Sequence, residues 1–329
     1  MVHWKQQLYD SANRVANQFK DHPGIVSVAI GGSLARGMAW KHSDLELCVL
    51  VDQHLPELQY FNYMENIGVE IIQVSKQQVE DFLMEESLSN EAVLRFPIQI
   101  YKCRIVHDPS GLMAKFKAAY DDTLFDPAVT AKKREQALES VDQRYALAES
   151  MLSGGFPNTA LAHLRLASND LLLAYYWHYL ILPRSQNRTV YLLKQNAERF
   201  GFVDFYHTFI HIFGLNQPLP AMKQDLFQAQ NEIYQVANTG WGSNAVLFLQ
   251  NAVDHNLEWG YDKSILYVYK WCVHLLQTGK LEERDVYDHE QFKADYPKLF
   301  PFLDFDKWTS EEIRGLFDRF YEARSKLTY

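Results

Sequence analysis

Two acidic residues alternate with leucines in the run Asp44-Leu45-Glu46-Leu47. Side chains alternate between the two faces of a strand, so both carboxylates point to the same face, roughly 6.6 Å apart at the backbone. Two like charges this close to an apolar run raise each other's energy unless a cation lies between them. Magnesium prefers carboxylate and phosphate oxygens, and a pair of such ions suits an in-line displacement at phosphorus. The two acids therefore indicate a site for divalent cations.

A turn of small residues, Gly31-Gly32-Ser33, precedes the acids, and ten residues separate Ser33 from Asp44. Glycines let the backbone approach a ligand closely, and N–H groups at the start of the following helical segment, residues 34–37, can point at anionic oxygens. The Arg36 guanidinium lies within that segment and can bind a phosphate with two hydrogen bonds. Ser43 is either a further triphosphate contact or a loop residue. The turn predicts a phosphate-binding site beside the cation site.

Strands must position these residues. Apolar runs predict strands over residues 25–30 and 44–51, on either side of the turn. Residues 68–74 predict a further strand, which carries Glu70, and residues 103–109 predict a last strand that ends in a turn. Helical spacing of apolar residues predicts a helix over residues 3–20 that lies against the sheet.

The combination of Gly32-Ser33, ten intervening residues and Asp44-Leu45-Glu46-Leu47 resembles the signature of the DNA polymerase beta-like nucleotidyltransferase superfamily. Within it, Gly-Ser-Leu-Ala-Arg followed by Ser-Asp-Leu-Glu is most similar to the kanamycin nucleotidyltransferase branch, which also has Glu as the second acid. The resemblance is specific over residues 25–108, loose over 129–237, and absent beyond that.

The resemblance implies an activity and a set of site residues. Asp44, Glu46 and Glu70, the third acid of the family, would hold two Mg²⁺ ions. ATP would lie with its phosphates on Gly32, Ser33 and Arg36, with Ser43 as a further contact. In relatives that modify aminoglycosides, a Glu early in the helical domain is thought to act as the base. Glu139 is the residue we assign to that role, and Asp142, one helical turn later, is the alternative.

Composition narrows the function classes. The chain of 329 residues carries a formal net charge of −9, which argues against a general nucleic-acid-binding protein and is compatible with a cationic small substrate. Three scattered cysteines form neither a disulfide framework nor a zinc motif, which favours a reducing, cytoplasmic compartment. No signal peptide is expected at the start, and the longest apolar run, residues 171–182, is too short to span a bilayer.

The composition changes after about residue 125. Long helices are predicted over 129–152, 158–182, 190–200 and 221–237, and the connection at residues 153–157 predicts antiparallel packing of the first two. We therefore expect an α/β nucleotidyltransferase domain (1–125), with a short mixed sheet and flanking helices, followed by an all-α helical bundle (126–329). The substrate is expected between them. Residues 240–329 either extend the bundle or form an oligomer contact, such as a homodimer interface.

The predicted activity is transfer of a nucleoside monophosphate, AMP from ATP, to a hydroxyl of a small-molecule acceptor, with release of pyrophosphate. An aminoglycoside-like acceptor, and with it a role in antibiotic resistance, follows from the family analogy alone. Two alternatives remain open: a nucleotidyltransferase that acts on a protein hydroxyl, and a nucleotide-binding module without turnover. A nucleic-acid polymerase is disfavoured because no basic patch interleaved with aromatic residues is present.

Overall fold

The structure is a computed structural model. It describes residues 3–84, 90–184, 186–278 and 286–327.

The chain folds as two compact units. The sheet unit comprises Met1–Lys132 together with Ser243–Asn251, and the helical unit comprises Lys133–Gly242 together with Ala252–Tyr329. The chain thus contributes a short segment from its last third to the sheet unit. The boundary between residues 125 and 126 that the composition change indicates stays a prediction.

Within the described residues, five strands form one mixed sheet. The strands are β1 Ile25–Ile30, β2 Leu45–Val51, β3 Phe61–Met64, β4 Ile67–Ser75 and β5 Arg104–His107. Their order in the sheet is β3-β4-β2-β1-β5. β1 is antiparallel to both of its neighbours, β2 and β5, whereas β2 and β4 are parallel.

The core of the sheet unit lies between the sheet and helix α1, His3–Gln18. Leu8, Ala12 and Val15 of this helix are buried together with the apolar residues of β1, β2 and β4. Their spacing of three to four residues places them on one helical face. The predicted amphipathic helix is thus confirmed. The other helices that begin in the sheet unit are α2 Gly32–Ala35, α3 Lys76–Met84, α4 Asn90–Leu94, α5 Leu112–Thr123 and α6 Pro127–Ser153.

The Asp108 carboxylate, just after the last strand, binds backbone N–H groups in the first turn of helix α5. The Asp108 carboxylate accepts hydrogen bonds from the backbone N–H groups of Ala114 (2.9 Å) and Met113 (3.3 Å) and from the Ser27 hydroxyl (2.8 Å). It thereby satisfies donors that have no partner within the helix and ties them to β1.

Helices are the main elements of the described residues outside the sheet, and the helical unit contains no strand among its described residues. The fold class predicted from the sequence is therefore confirmed. The helices after α6 are α7 Pro157–His178, α8 Thr189–Phe200, α9 Val203–Ile212, α10 Leu219–Trp241, α11 Ser243–Glu258, α12 Asp262–Thr278, α13 Glu290–Asp295, α14 Leu299–Phe302 and α15 Ser310–Ser325.

Helix α7 forms the centre of the helical unit, and most of its side chains are buried. Tyr175 stacks on Phe205 of α9, with ring centroids 4.4 Å apart, and its hydroxyl donates to the Ala323 carbonyl of α15 at 2.9 Å. The aromatic run near the end of α7 is thus bundle core. The described helices include none that combines the length and apolar character needed to cross a membrane.

Helix α7 and strand β3 differ from the sequence prediction for identifiable reasons. Helix α7 ends at His178 rather than at residue 182, because Leu180 adopts a left-handed conformation (φ 55°) and the N–H of Ile181 turns back to the Tyr176 carbonyl. Strand β3 was not predicted. It is a four-residue edge strand of mixed polar and aromatic residues, which lacks the apolar run of the central strands.

Candidate functional site

The glycine-rich turn follows directly from the end of β1. The N–H of Gly31 donates to the Glu46 carbonyl (2.7 Å), which fixes the turn against β2. Gly32 begins α2 with a φ of 57°, and a Cβ added there would coincide with the Glu46 carboxylate. Only glycine therefore allows the turn and the second acid to lie so close together.

The three predicted acids lie at one end of the paired strands β2 and β4. Glu46 and Glu70 are directly aligned in the parallel register, so their side chains leave the sheet on the same face. Asp44 precedes β2 by one residue, shares the face of Glu46, and its carboxyl is hydrogen-bonded to that of Glu70. All three side chains are partly exposed. The structure thus brings together three acids that are separated along the chain.

The surroundings of these three acids disfavour their charged forms. Burial raises the pKa of Glu46 to about 7; the Asp44 charge adds to this rise and the Arg36 guanidinium opposes it. Burial also raises the pKa of Asp44, and it raises the pKa of Glu70 well above its usual range, with the neighbouring carboxylates as the next cause. The raised pKa values favour the protonated forms of these carboxyls, and the carboxyls of Asp44 and Glu70 are hydrogen-bonded to each other.

The donor set has the chemistry of a magnesium site, because it consists of carboxylate oxygens that repel one another. As the side chains stand, however, the described residues contain no group of three or more His, Cys, Asp or Glu arranged to hold a metal ion. Asp44 is bonded to Glu70, and Glu46 Oε2 accepts the N–H of Ser33 at 3.1 Å. Binding of an ion would therefore exchange these hydrogen bonds for metal–oxygen bonds.

The predicted phosphate-binding residues surround the second acid. The Ser33 N–H, the donor expected to meet a phosphate, is bonded to Glu46. The Arg36 guanidinium lies close enough to stabilise the Glu46 charge, and its Nη1 donates to the Tyr101 carbonyl at 3.4 Å. The Ser43 hydroxyl accepts the Trp40 N–H at 2.8 Å and so closes the loop that leads into Asp44. An internal carboxylate thus occupies the anion position of the turn.

One residue at the site was not predicted from the sequence. Tyr60, just before β3, donates its hydroxyl to Glu70 Oε2 at 3.0 Å, although its side chain is 46% exposed. Burial and the charge of Glu70 raise the pKa of the Tyr60 phenol, so it keeps its proton as a donor. The only sequence signal would have been an isolated tyrosine before an unrecognised edge strand.

The acids proposed for the base role lie in the helical unit. Glu139 is exposed on α6, and its assignment as the base stays a prediction. Asp142, its alternative, is held by Arg324, whose Nε and Nη2 each donate to one carboxylate oxygen at 3.0 Å. Polar residues of α7 also have structural partners. Asp170 binds Arg144 at 2.7 Å, and Arg165 binds Asp304 at 2.8 Å.

Comparison with known proteins identifies the part of the chain that contains the three acids. Residues 12–108 match the family model of the nucleotidyltransferase domain. The match includes the glycine-rich turn, all three acids, Tyr60 and Asp108. It supports the superfamily resemblance in general terms, and nothing in the comparisons distinguishes the kanamycin branch from others.

The chain was also compared with curated proteins and with solved structures. A search of curated proteins finds no match to this chain. Among solved structures, the chain is similar to the crystal structure of a nucleotidyltransferase-like protein from Exiguobacterium sibiricum 255-15, with 11% sequence identity and a TM-score of 0.36. The similarity covers 91% of this chain and 90% of the other.

Proposed function

We propose that this protein is a metal-dependent nucleotidyltransferase that transfers AMP from ATP to a hydroxyl of a small-molecule acceptor and releases pyrophosphate. The observation that carries the proposal is the convergence of Asp44, Glu46 and Glu70 beside the Gly32-Ser33 turn, within the segment that matches the nucleotidyltransferase domain. An aminoglycoside-like acceptor rests on analogy with the kanamycin branch.

Asp44, Glu46 and Glu70 are the residues that would hold two Mg²⁺ ions. When bound, the ions would neutralise the charge of the triphosphate and the negative charge that develops during displacement at the α-phosphorus. Support comes from burial, which raises the pKa values of all three acids, and from the neighbouring carboxylates, which raise those of Glu46 and Glu70 further. A bound divalent cation would offset both effects by favouring the charged forms.

The turn would contribute to binding through its backbone. The Ser33 N–H already binds a carboxylate oxygen, and a phosphate oxygen offers the same kind of acceptor. Arg36, whose charge reaches Glu46, would add a cation beside the phosphates. Positioning and charge stabilisation by these groups would supply most of the rate enhancement. Glu139 is our proposed base for the acceptor hydroxyl.

The test is a transfer assay with Mg²⁺, labelled ATP and a panel of aminoglycosides, lincosamides and candidate proteins. We expect Asp44→Asn to lower transfer by about 10²-fold or more, the scale of losing an electrostatic contact at the reacting group. Asp52→Asn is the matched control, because Asp52 lies just beyond the other end of β2 and its carboxylate forms an exposed ion pair with Lys76 at 3.4 Å. Equal transfer by the wild type and Asp44→Asn would refute the proposal.

The same panel separates the alternatives. Label on a protein and on none of the small molecules would indicate a protein acceptor. Nucleotide binding without pyrophosphate release across the whole panel would indicate a binding module without turnover.

A further inference from the structure

Tyr60 is the residue that contacts the third acid from outside the predicted motif. Its hydroxyl is 3.0 Å from Glu70 Oε2, so one oxygen of this carboxylate is held in a fixed direction. The backbone supports the contact, because the Tyr60 carbonyl accepts the N–H of Ile71, the residue after Glu70. The hydroxyl and the acid are therefore joined both through side chains and through the edge of the sheet.

The strand that follows Tyr60 lies directly against Glu70. Phe61 of β3 pairs with Glu70 of β4 in the antiparallel register, and the ring of Tyr60 meets the ring of Phe61 edge-on, with centroids 4.7 Å apart. β3 is a short strand at the edge of the sheet, and such a strand has hydrogen-bonding partners on one side only. Its position therefore depends on what covers it.

Residues 243–251 provide that cover within the sheet unit. The Asn244 side-chain amide donates to the Phe61 carbonyl at 3.0 Å, and the ring of Phe248 packs on the ring of Phe61 with centroids 5.0 Å apart. Phe248 also lies over Gly68 of β4, where an added Cβ would come within 2.9 Å of the ring. The segment thus fixes both strands of the β3–β4 hairpin.

We propose that Tyr60 is a positioning residue for Glu70 and that residues 243–251 hold it in place through Phe61. This inference rests on the proposed function, because Glu70 is assigned there as a metal ligand. It gives residues 243–251 a role in the sheet unit that carries the three acids. The sequence predicted for them only an extension of the helical bundle or an oligomer contact. Outer partners of metal ligands act by fixing the direction of the ligand, and their loss typically lowers metal affinity by about 10- to 100-fold.

The first test measures Mn²⁺ binding by electron paramagnetic resonance in the full chain. Tyr60→Phe removes only the hydroxyl, and we expect its Mn²⁺ affinity to fall by about 10-fold. Tyr63→Phe is the matched control: it lies in the same hairpin, is 41% exposed, and donates only to the Asn66 carbonyl. The control should keep wild-type affinity. Equal affinities of Tyr60→Phe and the wild type would overturn the proposal.

The second test addresses the covering segment. Phe248→Ala should weaken Mn²⁺ binding in the same direction, because β3 loses its packing partner, and Phe248→Leu should restore much of it by refilling the space. Phe227→Ala controls for the loss of a large side chain elsewhere, since Phe227 is 55% exposed in the helical unit. Wild-type affinity in Phe248→Ala would overturn the role of the segment.

Mn²⁺ binding by Asp44→Asn distinguishes a failure of the positioning role from a failure of the proposed function. If Asp44→Asn binds Mn²⁺ as the wild type does, no ion binds at these acids and both proposals fail. If Asp44→Asn weakens binding and Tyr60→Phe does not, the site stands and only the positioning role is rejected.

Discussion

At the scale of single residues, folding brings three acids together in surroundings that raise their pKa values. Glu46 is the clearest case, because burial and the Asp44 charge raise its pKa to about 7. A folded protein that holds a carboxyl with a raised pKa binds protons that the unfolded chain releases. The residues that would bind the ions therefore also make stability depend on pH.

The raised pKa of Glu46 determines how stability changes with pH. Because the folded-state pKa of Glu46 is raised from 4.5 to about 7, its contribution to stability is fully present below about pH 4.5 and is lost as pH rises to 7. We predict that Glu46→Gln, which cannot ionise, flattens the decline of unfolding free energy between these pH values. Urea unfolding in the presence of a chelator measures it. Parallel pH profiles of the wild type and the variant would contradict the assigned shift.

At the scale of elements, the sequence predicted the strands that carry the acids because these strands have continuous apolar runs. Spacing alone indicated that Asp44 and Glu46 share a face, and the parallel pairing of β2 with β4 then aligns Glu46 with Glu70. The edge strand β3 escaped prediction because half-exposed strands lack such a run. Tyr60 was missed for the same reason, since its role depends on where that strand lies.

The turn between β1 and α2 yields an element-scale prediction. Gly32 and Gly37 both have positive φ values, 57° and 72°, but a Cβ at Gly32 would meet the Glu46 carboxylate, whereas one at Gly37 would meet nothing within 4 Å. Both alanine variants should therefore lose about 1–2 kcal/mol through backbone strain. Only Gly32→Ala should also abolish nucleotide transfer, because Glu46 must move.

Urea unfolding and the transfer assay separate the two effects. Equal activity of Gly32→Ala and Gly37→Ala would show that the close approach to Glu46 has no part in the site.

At the scale of the whole molecule, the helical unit is held together by a buried charge network that sequence patterns did not reveal. Arg165 of α7 is fully buried and donates to Asp304 at 2.8 Å, to the Ile212 carbonyl at 2.9 Å and to the Leu303 carbonyl at 2.7 Å. Lys270 of α12 also binds Asp304, and burial lowers the pKa of this lysine to about 8. Residues distant along the chain thus meet at one carboxylate. Sequence spacing does not link Arg165 to a partner that lies 139 residues away along the chain.

We predict that Asp304→Asn destabilises the protein by about 3–5 kcal/mol, because it leaves two buried cations without their counter-charge. Asp306→Asn is the control. Asp306 is two residues away and forms an exposed ion pair with Lys293 at 3.5 Å, which contributes about 0–1 kcal/mol. Urea unfolding measures both variants. A loss in Asp304→Asn as small as that in Asp306→Asn would contradict the structural role of the network.

In the proposed function, three acids and a glycine-rich turn form one site for divalent ions and a nucleotide. The most direct measurement is a crystal structure of the full chain with Mn²⁺ and a non-hydrolysable ATP analogue. We predict anomalous density from manganese among the carboxylates of Asp44, Glu46 and Glu70, with the phosphates of the analogue on Gly32 and Ser33. Manganese bound elsewhere, or a triphosphate away from the turn, would contradict the account.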